Sequence, residues 1–221
     1  MQECKLNHLN INAVEYCGTR PSGGICQLEI LKNEGMKYDS FLLEIGCGPL
    51  MMGIPAMSYL DKNHYYGLEP NDWIVKQTLS IPENNYIYSL KNPVISNNDN
   101  FDASSFGIKF DFIYAHSIMS HASMYQLPLF LENSYNVIKL GGKLIFSLRL
   151  TTSNKYGNEG SDKETNSENW IYPGCSFFHQ ETVEKIALKF FKNVKLVPEY
   201  TELLTNNCKG VCHDWFVCTK L

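Results

Sequence analysis

Two short stretches hold the residue types from which a nucleotide crevice is made. Glu44-Ile45-Gly46-Cys47-Gly48-Pro49 closes the apolar run Phe41-Leu42-Leu43 with two glycines one residue apart. Glycines at such a point let the backbone approach a ligand closely, and a helix beginning there presents unpaired N–H groups. About twenty residues later, Gly67-Leu68-Glu69-Pro70-Asn71 sets a carboxylate after a second apolar run, where an acid can accept both hydroxyls of a ribose. Each feature alone has a plainer reading: a tight strand-to-helix turn, or an acid stabilised at a helix start. Together they point to a nucleotide. A dinucleotide site wants a third glycine three residues past the second. Met51 stands there and the next glycine is Gly53, which disfavours a nicotinamide-dependent oxidoreductase.

A second group follows the run Phe110-Asp111-Phe112-Ile113-Tyr114. Ala115, His116 and His121 come directly after it, and parallel α/β sheets bind their ligands beyond such strand ends. Histidine is the side chain whose ordinary pKa suits proton removal near neutrality; each of the two also has a plainer reading as a helix-start or surface residue. Tyr114 reads as a strand residue beneath the site or as a direct contact. Arg20, ahead of Gly23-Gly24, could pair with a carboxylate or be an exposed arginine of an N-terminal arm. Trp170, Tyr172, Phe177 and Phe178 could wall an acceptor pocket or pack the last helix. Cys208-x-x-x-Cys212-His213 supplies two thiols and an imidazole, but a structural zinc needs four ligands and a partner pair is missing. No metal is expected.

These residues need a frame of alternating elements. Short β-rich runs occur at 41–45, 65–68, 86–88, 110–114 and 143–148, each bounded by turn residues. Helical spacing falls between them, at 72–79 (Trp73, Val75, Leu79) and 128–140 (Leu131, Tyr135, Ile138). Such alternation predicts a parallel sheet wound by right-handed crossovers. Residues 151–167 are polar and rich in Gly, Asn and Ser, hence a loop. An amphipathic helix is expected over 180–191, with Val183, Ile186, Ala187 and Phe190 on one face. Strands 194–197 and 214–218 end the chain, and the segment joining them reads as a loop too short for a crossover helix, so the pair is expected to be antiparallel. Residues 1–35 form a separate arm, either a lid or a packing segment with a helix-like run at 25–31. Residues 36–221 form the main domain.

With 221 residues, 44% of them hydrophobic and 19% charged, the chain can build one domain with a complete core and is not of the disordered class. The net charge of −4 gives no electrostatic case for nucleic acid or an anionic membrane. No run reaches the roughly 18 apolar residues of a membrane span. The first residues lack the layout of a secretory signal. Eight cysteines are too sparse for a disulfide scaffold, and Cys47 and Cys218 suit the role of small buried hydrophobes. A reducing cytoplasm is the expected location.

From about residue 20 onward the sequence resembles the class I S-adenosylmethionine-dependent methyltransferases. Residues 44–49 look like that family's glycine motif, 67–71 like its acidic ribose motif, 110–117 like its fourth-strand motif, and Val137-Ile138-Lys139-Leu140-Gly141-Gly142-Lys143-Leu144 like the loop entering its fifth strand. The resemblance is nearest to members acting on small molecules. It implies an α/β, Rossmann-like seven-stranded sheet, five strands parallel plus an antiparallel terminal hairpin, with helices on both faces. It further implies S-adenosylmethionine as cofactor: Gly46, Cys47 and Gly48 lining the methionine portion, Glu69 on the ribose, Asn71 or Pro70 bordering the adenine, and Ala115 and His116 flanking the sulfonium and the acceptor. Glu44 of the same motif is a further cofactor candidate, as is Arg20 through its guanidinium. One departure is that Ser89-Leu90-Lys91-Asn92 stands where many members place an acid on the adenine amine. A hydroxyl acceptor would need its proton removed, a task for His121 or His116, with Tyr114, Trp170, Tyr172 and Phe178 as substrate contacts. Methylation of nitrogen and a cofactor-binding subunit without activity are the alternatives.

Overall fold

A computed structural model describes residues 12, 21–152, 154–157, 164–165, 175–208 and 213–221. In chain order its elements are α1 (Pro21–Asn33), β1 (Leu42–Ile45), α2 (Gly53–Tyr59), β2 (Tyr65–Leu68), α3 (Asp72–Leu79), α4 (Pro82–Lys91), β3 (Val94–Ser96), β4 (Phe110–Ala115), α5 (Gln126–Val137), β5 (Ile138–Leu148), β6 (Lys155–Gly157), β7 (Glu164–Thr165), β8 (Ser176–Phe177), α6 (Gln180–Ala187), β9 (Asn193–Leu196), α7 (Pro198–Cys208) and β10 (Asp214–Thr219). Short 3₁₀ turns lie at Ser104–Phe106 and Met119–His121.

Seven strands form one sheet in the order β3-β2-β1-β4-β5-β10-β9, with β1 to β5 parallel and β10 antiparallel to both of its neighbours. Strand order reverses between β1 and β4, so the crevice beyond their carboxyl ends is where an open α/β sheet takes a ligand. Side chains alternate between the two faces. Leu43, Ile45, Ile113, Ala115, Phe146 and Phe216 face α5 and α6 through Phe130, Leu131, Val183 and Ala187. Leu42, Tyr65, Phe112, Tyr114, Ile145 and Trp215 face α1, α2 and α7 through Leu31, Ala56, Met57, Tyr200 and Leu204. A small second sheet, β7-β6-β8, meets the end of β5 through a parallel bridge between Leu150 and Phe178.

Three expectations about elements are overturned, the first being that 151–167 is all loop: β6 and β7 fall within it. Residues 86–88 are helix, not strand: Pro82 starts α4 at its first turn, and Asn92 ends it in the left-handed conformation with its N–H on Tyr88 O. The aromatic residues there imitate a strand, yet Tyr86 is 67% exposed. The third strand lies just beyond, at Val94–Ser96. The segment between the two closing strands holds an 11-residue helix, α7. Tyr200 and Leu204, one helical turn apart, bury against Trp215 on the strand that follows. The antiparallel pairing of β9 and β10 stands as expected.

Among the described residues no helix is long and apolar enough to cross a membrane. Cys47, Cys175 and Cys218 are free and buried. Cys26, on α1, is disulfide-bonded, a departure from the reduced chain that a cytoplasmic reading implies.

Candidate functional site

The turn after β1 is fastened to the end of β2. Gly46 and Cys47 N–H both donate to Leu68 O (2.8 and 3.1 Å), and Gly48 N–H donates to Glu69 Oε2 at 2.9 Å. Gly46 sits at φ 70°, and a side chain there would collide with Ile118 Cδ1, 2.0 Å from the ideal Cβ position. Glycine is therefore required twice over, by conformation and by space. On the other side, α1 presses its Gly24 against Met51 O, which lies 1.9 Å from where a Cβ would be.

Glu69 is buried, and its second oxygen, Oε1, accepts from Asn71 N–H (2.9 Å) and from the Asn71 side-chain amide (3.2 Å). Burial raises its pKa against the pull of these N–H donors. An ionised carboxylate has about four acceptor sites. Three are filled here, and the long amide contact is the one most easily exchanged for a ligand hydroxyl.

Beneath the turn, Glu44 lies level with Gly67 on β2 and Tyr114 on β4. Its Oε2 accepts from the Tyr65 hydroxyl at 2.5 Å. Burial, partly offset by that bond and reinforced by Glu69, pushes the Glu44 pKa up to about 8. The Cys47 thiol is likewise pushed well up by burial and by the two acids.

The turn after β4 closes the other side. His116 lies flat against the Trp215 indole (ring centroids 5.1 Å apart, planes 6° apart) and edge-on to His213 (5.1 Å, 76°). Its Nδ1 is 2.9 Å from Ser147 Oγ. Desolvation, then the neighbouring His213, lowers its pKa to about 3. Ser117 N–H also donates to Ser147 Oγ (2.9 Å), and Ser117 Oγ meets His213 Nε2 (3.2 Å). Ser147 pairs with Trp215 in the sheet register, and its small side chain lets the indole cross β5 to reach Tyr114 on β4 and His116 just after it. Tyr114 Oη and Trp215 Nε1 are buried there without a hydrogen-bond partner.

The structure thus brings Glu44, Gly46, Cys47, Gly48, Glu69, Pro70 and Asn71 together at the ends of β1 and β2, and Tyr114, Ala115, His116 and His121 at and just beyond the end of β4. Tyr114 is fully buried and stacked on Trp215 (5.8 Å, 26°), so it packs under the site. His121 is half-buried and closes the 3₁₀ turn, its N–H donating to Ile118 O at 3.0 Å. Phe178 does not join them. It is fully buried on the opposite face of the sheet with Val183 and Phe130, where an aromatic ring caps the core of α6. Arg20, Trp170, Tyr172 and Cys212 lie outside the described residues.

The same architecture occurs in solved structures. The DhpI–SAH complex is 13% identical over 95% of this chain and 91% of that one, with a TM-score of 0.62. The glycopeptide N-methyltransferase MtfA complexed with S-adenosyl-L-homocysteine is 10% identical over 90% of each chain, TM-score 0.60. The magnesium protoporphyrin IX methyltransferase ChlM of Synechocystis PCC 6803 with bound SAM is 11% identical over 96% of this chain and 86% of that one, TM-score 0.59. No family model and no curated protein matches the chain.

The chain has the methyltransferase fold.

Sequence reasoning about this methyltransferase fold missed three members of the β4 cluster: Ser117, Ser147 and His213. Ser147 had no local signal, because a serine within Ile145-Phe146-Ser147-Leu148 reads as an ordinary strand residue. His213 drew attention only as a companion of two cysteines. Among the described residues no three His, Cys, Asp or Glu side chains are grouped to hold a metal; what His213 meets instead is Ser117 and His116. Only pairing β10 with β5 makes that visible.

Proposed function

We propose that the chain is an S-adenosylmethionine-dependent methyltransferase acting on a small molecule through a hydroxyl oxygen. The observation that carries this is the contact between Glu69 and the Gly48 N–H, which makes the ribose acid and the glycine turn two walls of one crevice at the point where strand order reverses. Neighbours solved with SAM or SAH support it at the level of fold.

The residues fit an adenosyl group: Glu69 keeps acceptor capacity, Pro70 is exposed and Asn71 half-buried at the rim. In this reading Glu69 takes the ribose hydroxyls, Pro70 and Asn71 border the adenine, and Gly46, Cys47 and Gly48 line the methionine arm over Glu44. Ala115 and His116 stand at the sulfur. S-adenosylmethionine supplies a methyl on a good leaving group, displaced in line by the acceptor atom, so much of the catalysis is positioning. His116, with its pKa near 3, is uncharged at neutral pH and too weak a base to take the acceptor's proton. It serves as a flat, hydrogen-bonding contact. His121 is the residue assigned to proton removal. Cys47 stays protonated, so a thiol in the turn does not compete as a nucleophile for the methyl group.

Calorimetry tests the crevice. S-adenosylhomocysteine should bind in the micromolar range and NAD should not; NAD binding without S-adenosylhomocysteine overturns the reading. Glu69→Ala should weaken the complex by about 1–3 kcal/mol, roughly 5- to 150-fold. With an acceptor in hand, His121→Ala should lower kcat about 10²–10⁴-fold, and an unchanged pH–rate profile would remove it from the base role.

A further inference from the structure

Ser117 occupies the left-handed region at φ 62°, which a residue with a side chain adopts only where the surroundings hold it. Those surroundings are specific. Its N–H donates to Ser147 Oγ, its carbonyl accepts from Ser120 Oγ at 2.8 Å, and its own Oγ meets both Ser120 Oγ (3.0 Å) and His213 Nε2 (3.2 Å). The first of these partners belongs to β5 and the serine 120 contacts are local to the turn. His213 alone in this set comes from the closing segment of the fold.

The histidine is itself anchored independently of the turn it meets. Its carbonyl accepts from Thr201 Oγ1 on α7 at 2.6 Å, and it is buried; its ring also meets the start of the turn, edge-on against His116. The turn in its grip does three things at once. It begins at His116, it lays Ile118 against Gly46 of the glycine turn, and its end carries His121, whose N–H bonds Ile118 O. A shift of Ser117 would therefore move the floor of the crevice and both histidines together.

We propose that His213 is a positioning residue: through Nε2 it locks Ser117, and so holds the post-β4 turn in the shape that completes the crevice. The proposal rests on the methyltransferase reading for its ligand, and its test separates the two.

Two readouts are taken on the full chain: affinity for S-adenosylhomocysteine by calorimetry, and amide hydrogen exchange across residues 117–122. Wild type that fails to bind sinks the methyltransferase reading, while exchange still decides the role of His213. His213→Ala should speed exchange in the turn and weaken binding, each by about three- to tenfold. His213→Gln, whose amide nitrogen reaches the position of Nε2, should restore both to within about twofold of wild type. The decisive comparison uses Ser117→Gly, which takes a positive φ without strain. In that background His213→Ala should change either readout less than twofold. Full loss persisting there shows that His213 acts by packing alone and overturns the proposal, as does His213→Ala with wild-type exchange. If His213→Ala does not fold, the apolar His213→Leu of similar bulk is read in the same way.

Discussion

Glu44 and His116 are pushed away from their usual ionisation in opposite senses of charge, and each leaves a mark on stability. Glu44 keeps its proton to about pH 8, whereas the unfolded chain releases it near 4.5. Between those values the folded state binds more protons, so the stability gained from this group is complete below pH 4.5 and is lost as pH rises through 8. Glu44→Gln should unfold in denaturant with a free energy that is flatter across pH 4.5–8, and it should be more stable than the parent above pH 8. A parent-like slope in the variant would show that the acid does not titrate in this way. His116 acts at the acid end. Its folded pKa near 3 lies below the unfolded 6.5, so the unfolded chain gains a proton that the folded one refuses as pH falls from 6.5 to 3. Stability is lost on acidification through that window. A neutral imidazole and a protonated carboxyl at pH 7 mean that two ionisable side chains of the crevice carry little charge there.

The element that sequence reasoning overlooked, α7, shows how packing is traded for position. Leu204 is 5% exposed and Tyr200 is 8% exposed against Trp215, while Thr201 on the same helix fixes the His213 carbonyl. Leu204→Ala removes buried methyls packed behind Trp215 and should cost about 2–5 kcal/mol, read as a lower denaturation midpoint with an unchanged m-value. What could be seen in the sequence divides along the same line. The parallel strands β1, β2 and β4 were legible because each is a short apolar run ending at a glycine, an acid or a histidine. The helix α4 was not, because Tyr86-Ile87-Tyr88 has strand-like residues and its helical character comes from Pro82 and the Asn92 terminus, which act locally. The helix α7 was not, because its apolar face is only Tyr200, Leu203 and Leu204, too few for periodicity to show. Glu69 was found from its place after the second apolar run and its spacing from the glycines; Ser147 and His213 could not be, since they reach the site only through the register of β5 with β10.

At the scale of the molecule, the sheet joins two halves of unequal sequence locality. The strands bearing the glycine turn and Glu69 are consecutive in the chain, and β4 enters beside β1. The far wall instead depends on β10, which comes after every other described strand yet lies in the interior, between β5 and β9. Until β10 is inserted, β5 and β9 each have an unpaired edge, the kind of surface that draws chains into aggregates. Such distant pairings form slowly because loop closure is costly before contacts reward it. Renaturation from denaturant is expected to close the pairing of β1 with β2 before β10 brings in Trp215 and His213, so that half of the crevice precedes the other in time; pulse-labelled hydrogen exchange that protects both halves at one rate would overturn this.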